Sequence, residues 1–283
     1  MKQLGRWRLD TLSGGDFSID GGAVYGVVPK TVWSKLAPPD ELNRVRMRNN
    51  CVLLRDGDQT VLIDTGYGGK YAPLDRAAYA MQEGTPIVDS LNGAGVAPQD
   101  VDVVLLSHLH FDHAGGVTSR GPNGQLHLTF PNARHVVGRF EWEDATSRRP
   151  ELLAAYPQDN LTPLEGSGRL ELVDDGSEVA TGIHVIRTGG HTRGHLAVRI
   201  DGGGQTALFI GDLVPTTEHV RPNWGLAYDT FPLVTRRRKQ QLLGEAADGG
   251  WLVVWSHDRN TAVSRLARRG ANRFVVEQCE RHA

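Results

Sequence analysis

Residues 106–116 read Leu106-Ser107-His108-Leu109-His110-Phe111-Asp112-His113-Ala114-Gly115-Gly116. Three imidazoles and a carboxylate within six positions crowd one another unless a divalent cation gathers their lone pairs, and nitrogen and oxygen donors of this kind suit such an ion. The preceding residues, Val101-Asp102-Val103-Val104-Leu105-Leu106, are apolar and β-branched, as in a strand buried on both faces, so the cluster sits where a strand ends. Alternate side chains of an extended segment share a face. His108 and His110 are therefore expected to reach one ion, and Asp112 and His113, past the bend, a second.

One segment does not complete a metal site, but the chain repeats the arrangement further on. His191 follows Ile183-His184-Val185-Ile186-Arg187-Thr188-Gly189-Gly190, a strand pattern broken by a glycine pair that allows a sharp turn. Asp212 follows Thr206-Ala207-Leu208-Phe209-Ile210-Gly211, and His257 follows Trp251-Leu252-Val253-Val254-Trp255-Ser256. Four predicted strands each end in a candidate ligand.

Together with Ile63-Asp64-Thr65-Gly66, Gly190-His191-Thr192-Arg193-Gly194-His195 and Gly211-Asp212, these motifs stand in an order that resembles the metallo-β-lactamase superfamily of metallohydrolases, over residues 63–257. The resemblance implies an α+β fold, a four-layer αββα sandwich of two packed mixed β-sheets flanked by helices. It implies one domain over residues 1–283, built of two similar halves, with strand-end ligands converging between them. It also implies a dinuclear centre in which His108, His110 and His191 hold one metal, Asp112, His113 and His257 hold the other, and Asp212 bridges both. Zinc suits this donor set best, with iron, manganese or cobalt as alternatives. Asp64 would accept a hydrogen bond from a ligand histidine or from the loop bearing the cluster.

The chemistry implied is hydrolysis. Two cations about 3.5–4 Å apart acidify a shared water into a bridging hydroxide and polarise the bond it attacks, while the catalytic carboxylates Asp112 and Asp212 steer it and take up its proton. Ser107 and Ser256 precede ligand histidines but have no free base beside them, so neither is read as a nucleophile. His195 matches the motif's second, structural histidine. His127, His135, His184 and His219 are read as scattered and without partners, and His282 as a frayed terminal residue.

The chain has 283 residues, 39% hydrophobic and 23% charged, with 31 basic against 33 acidic groups and a formal net charge of −2. That near-neutral balance gives no reason to expect a nucleic-acid partner. The run Arg236-Arg237-Arg238-Lys239 lacks interleaved aromatics and reads as the solvated face of a helix. Cys51 and Cys279 lack metal-ligand spacing, and Cys51 reads as a small buried hydrophobe. No stretch offers the ~20 apolar residues that span a bilayer, and the first residues lack a signal-peptide core, so a cytoplasmic protein without membrane contact is expected.

Between the motifs, strands are predicted over residues 4–16, 51–64 and 132–138, a helix over 75–92, a turn at 121–124, a helix from Glu141 and an irregular connection over 148–168. Residues 24–47 and 222–232 read as long, aromatic loops. Loops over a metal centre shape its pocket, so Trp33, Trp224 and Tyr228 are candidate substrate-binding residues, in an apolar wall suited to acyl, aryl or alkyl esters; the same aromatics could instead pin the loops to the body or mediate a homodimer.

The wide interval between His113 and His191 and the Val-Pro-rich N-terminal segment resemble the branch containing acyl-homoserine lactone lactonases and methyl-parathion-type organophosphate hydrolases. Such lactonases place a tyrosine shortly after the bridging aspartate, whereas this chain has Leu213-Val214-Pro215. Small lactones or carboxylic esters are the first expectation and organophosphate triesters the alternative. From another class, a di-iron redox module on the same scaffold would need an electron-entry domain for which the sequence shows no motif.

Overall fold

A computed structural model describes residues 2–281, with side chains to Glu277; the Cys279 side chain and His282 lie outside the described residues. The first sheet has seven strands, in the order Lys2–Leu4, Trp7–Asp20, Arg44–Arg55, Thr60–Ile63, Val103–Leu105, Arg134–Gly138 and Leu170–Val173. Its pairings are antiparallel up to Thr60–Ile63 and parallel beyond. The second also has seven, Glu178–Ala180, Ile183–Arg187, Leu196–Gly202, Gln205–Phe209, Leu252–Val254, Thr261–Arg268 and Phe274–Arg281. Here only Gln205–Phe209 and Leu252–Val254 run parallel.

The two mixed sheets pack face to face. Val52, Leu54, Ile63, Val103 and Leu105 from the first meet Val185, Val198, Ile200, Phe209 and Val254 from the second in one cluster. The odd-numbered Cys51 and Leu53 point the other way, under the helix Pro86–Gly93, whose Ile87 and Leu91 cover that outer face. The helix Pro232–Asp248 covers the second sheet through Leu242, Leu243 and Ala246. Burying such side chains stabilises the fold by roughly 1.5–3 kcal/mol each. Strands buried on both faces lose the alternating pattern, which is why Val103-Val104-Leu105 reads as continuous apolar sequence. The expected four-layer αββα sandwich is the one observed. Among the described residues, no helix is long and apolar enough to cross a membrane.

Several predicted boundaries move. The helix expected over residues 75–92 is two helices, Pro73–Ala78 and Pro86–Gly93, because Pro86 cannot continue a helix and pushes Thr85 out of helical geometry. Residues 44–47, expected in a loop, open the long strand Arg44–Arg55. The alternation Arg44-Val45-Arg46-Met47, with Val45 and Met47 buried, was the overlooked signal. Residues 118–128 form the expected turn within a separate two-stranded sheet, Thr118–Arg120 with Leu126–Leu128.

Candidate metal centre

The strands Val103–Leu105, Ile183–Arg187, Gln205–Phe209 and Leu252–Val254 all run out toward one end of the sandwich, where their following loops meet. After Val103–Leu105 the chain turns into the short helix Phe111–Ala114, which brings Asp112 and His113 round beside His108. Asp64 anchors that turn from the neighbouring strand. Its Oδ1 accepts the Ser107 amide at 2.7 Å, and its Oδ2 accepts the Ser107 hydroxyl and the His113 Nδ1 proton, each at 2.7 Å. Asp64 has a φ of 59°, an uncommon conformation outside glycine that the surrounding structure must hold in place.

Ligand atoms lie within 4.8 Å of one another in three groups: His108, His110 and His191; His108, His113 and Asp212; and Asp112, His113 and His257. Asp212 stands between the other groups, with Oδ2 3.5 Å from His191 Nε2 and Oδ1 3.0 Å from His257 Nε2. Inward-facing nitrogens are closely opposed: His113 Nε2 and His257 Nε2 at 3.0 Å, His191 Nε2 and His110 Nδ1 at 3.0 Å. The opposite nitrogens already have acceptors, Asp64 for His113, Asp229 at 3.0 Å for His191 and the Arg48 carbonyl at 3.3 Å for His257. With a proton on each outer nitrogen, the inner nitrogens would offer their lone pairs to the space between them.

That arrangement fits divalent cations. His108 Nε2 is buried with no hydrogen-bond partner among the described residues, an orphan that a metal ion would satisfy. The electrostatics divide the imidazoles, lowering the pKa of His108 and His110 and raising that of His113 and His191. Burial, then the neighbouring imidazoles, holds His108 and His110 well below the ordinary histidine range. Burial also opposes charge on His113, but Asp212, Asp112 and Asp64 outweigh it and raise its pKa. For Asp212 burial is outweighed by His257 and His113, and its carboxyl stays well below the usual carboxylate range.

His195 lies beside this centre with both nitrogens engaged: Nε2 accepts the Asp212 amide at 2.9 Å and Nδ1 meets Thr188 Oγ1 at 2.7 Å. Gly211 makes that contact feasible, since it has a φ of 56° and a Cβ there would lie 2.6 Å from His195 Nε2. Ser256 donates to Asp212 Oδ1 at 2.9 Å. Sequence reasoning missed Asp229, which supports His191, and Glu141, which lies behind the histidine loops. Nothing local marks Asp229. His219, read as partnerless, stacks on Tyr25 at 5.2 Å and bonds both Thr216 and the Val24 carbonyl.

A cleft of about 310 Å³ opens over the cluster, floored by His110, Asp112, His191, Asp212 and His257 and walled by Phe17, Met47, Phe111, Leu226 and Tyr228. Among its described lining residues none is Lys or Arg. Of the three aromatic candidates only Tyr228 reaches it. Trp33 is buried, stacked on Tyr25 at 5.2 Å, and Trp224 meets the edge of that tyrosine at 5.6 Å and lines a separate hollow. Both correct the sequence reading: they brace Tyr25 instead of facing the cleft, because their large apolar area is better buried in the aromatic cluster.

A model of the metallo-β-lactamase superfamily matches residues 44–257. A probable metallo-hydrolase of Mycobacterium tuberculosis is 28% identical over 178 residues, 57% of this chain and 55% of that one. An N-acyl homoserine lactonase of a Bacillus species is 30% identical over 162 residues, 53% of this chain and 57% of that one. The match thus spans little more than half the length of these curated relatives. Among solved structures, a probable metal-dependent hydrolase from Staphylococcus aureus superposes with a TM-score of 0.88 at 30% identity, covering 99% of this chain and 100% of that one. The dizinc quorum-quenching lactonase AidC, at 20% identity and a TM-score of 0.79, covers 100% and 97% and shares the fold.

Proposed function

The chain belongs to the metallo-β-lactamase superfamily of metal-dependent hydrolases, and from that premise we propose that it is a dinuclear enzyme cleaving small uncharged esters, lactones and carboxylic esters first. The observation carrying this reading is the convergence of His108, His110, Asp112, His113, His191, Asp212 and His257 beneath an apolar cleft whose described lining includes no Lys or Arg. His108, His110 and His191 would hold one ion, Asp112, His113 and His257 the other, with Asp212 shared between them. Two divalent cations, zinc first and iron, manganese or cobalt as alternatives, would supply an acidified water and a Lewis-acidic contact for the substrate. We also take the two sheet-and-helix halves as one domain, since both contribute ligands.

The remaining steps belong to the side chains. Asp112, on the cleft floor, accepts the proton of the attacking water and passes it to the leaving alkoxide. Asp212, kept anionic by His257 and His113, orients the inward imidazoles and stays unprotonated. Phe17, Met47 and Leu226 exclude water around the acyl group. Tyr228 donates its hydroxyl proton to a substrate oxygen; burial, then nearby Tyr79, pushes its pKa up to about 12, so it remains a donor at neutral pH.

Lactones and p-nitrophenyl esters of increasing acyl length, assayed on metal-analysed protein, test this. Burial of each methylene gains about 0.8 kcal/mol, so kcat/KM is expected to rise about 4-fold per added methylene until the cleft is filled. Organophosphate triesters, also uncharged, are the competing substrate, and faster turnover of them would shift the assignment. A protein that carries two ions yet hydrolyses no neutral ester would overturn the reading. Redox-active iron that reacts with oxygen would favour the electron-transfer alternative.

A further inference from the structure

We propose that Glu141 is a positioning residue for the His108, His110 and His191 half of the centre, joining with one carboxylate the two loops that carry those imidazoles; this rests on the metal-centre reading above. Glu141 belongs to the helix Arg139–Thr146, which contributes no ligand, and it is fully buried. Its Oε1 accepts the Leu109 amide, between His108 and His110, at 3.0 Å. Its Oε2 accepts the hydroxyl of Thr192, next to His191, at 2.5 Å. The Tyr156 hydroxyl bonds the same carboxylate, and its ring packs 5.6 Å from that of His110.

A buried carboxylate is costly unless donors surround it, and here those donors come from separate segments, so satisfying the charge fixes the distance between them. The close approach is built into the backbone. A Cβ on Gly194 would stand 2.1 Å from the Glu141 amide nitrogen, so a glycine is needed where the helix start meets the 190–195 loop. The bond from the Leu196 amide to the Ser107 carbonyl joins the same loops at their base, and Glu141 joins them beside the ligands. The His113 and His257 half is braced by other groups, Asp64 and the Arg48 carbonyl. Loss of Glu141 is therefore expected to act on one ion and spare the other.

The test is metal binding by the chelator-stripped full chain, with Zn2+ titrated against a chromophoric chelator and Co2+ followed by its visible spectrum. Wild type is expected to bind two ions. In Glu141→Ala one affinity falls by about 10–100-fold while the other holds, and the Co2+ spectrum loses one component. Glu141→Gln, which keeps a carbonyl oxygen for the Leu109 amide, recovers part of the loss. If Glu141→Ala does not fold, Thr192→Val removes only the hydroxyl that meets Glu141 and Tyr156, leaving the Leu109 bond, and is expected to weaken the same ion. Wild-type affinities at both sites, or an equal fall at both, would overturn the proposal. Wild-type protein that binds no divalent ion would instead overturn the metal-centre reading beneath it.

Discussion

His135 and Asp212 are both buried and titratable, yet one is isolated and the other is the hub of the centre. His135 sits between Val104 and Leu170 in the first sheet with no side-chain partner among the described residues, and burial, only partly opposed by the Ala133 backbone, lowers its pKa from 6.5 to about 4. On acidification the unfolded chain takes up this proton first. The native state therefore keeps its full stability above pH 6.5 and loses roughly 3 kcal/mol as the pH falls to about 4. Denaturant unfolding of His135→Leu against wild type is expected to show a smaller acid-side loss in that window, and parallel curves would refute it. At the centre, Asp212→Asn removes the shared charge, so it is expected to fold, to lose metal and to drop kcat/KM by more than about 100-fold, read by metal analysis and steady-state kinetics. Unaltered metal content would contradict the bridging role. The strand-end position of these candidate ligands was legible because hydrophobic runs and turn residues are local signals; Asp229 was not, since only packing brings it to His191.

The helix Pro232–Asp248 shows the same division at the level of an element. Its basic run was expected to be solvated, but Lys239 is buried and donates to the carbonyls of His219 at 3.1 Å, of Arg221 at 2.9 Å and of Trp224. Burial, its main cause, lowers its pKa to about 8. The clue lay in helical periodicity, because Thr235, Lys239, Leu242, Leu243 and Ala246 fall on one buried face, which composition alone hides. One ammonium thus pins the loop that carries Leu226 and Tyr228 to the cleft. Lys239→Met is expected to lose about 1–3 kcal/mol for each carbonyl left unpaired, and to raise KM more than it lowers kcat. Denaturant titration and ester kinetics check both; an unchanged KM would detach the helix from the cleft.

Over the whole molecule, ions bound only by the native state stabilise it by about 2.7 kcal/mol at a free concentration 100 times Kd. Chelation is therefore expected to abolish hydrolysis and lower the calorimetric unfolding midpoint, with both restored by added Zn2+; a midpoint indifferent to chelator would contradict a centre that spans both sheets. The candidate donors and the strands that end in them were legible in the chain because they depend on neighbours a few residues away, and the order of the motifs was legible because it is linear. The family resemblance already implied that donors from four strand ends meet; only the fold turns Trp33 and Trp224 from the cleft while Tyr228 enters it, and places Glu141 and Asp229 behind the histidines. Those outcomes follow from which buried faces pack together, and packing compares residues far apart in the chain, where no local period records the answer.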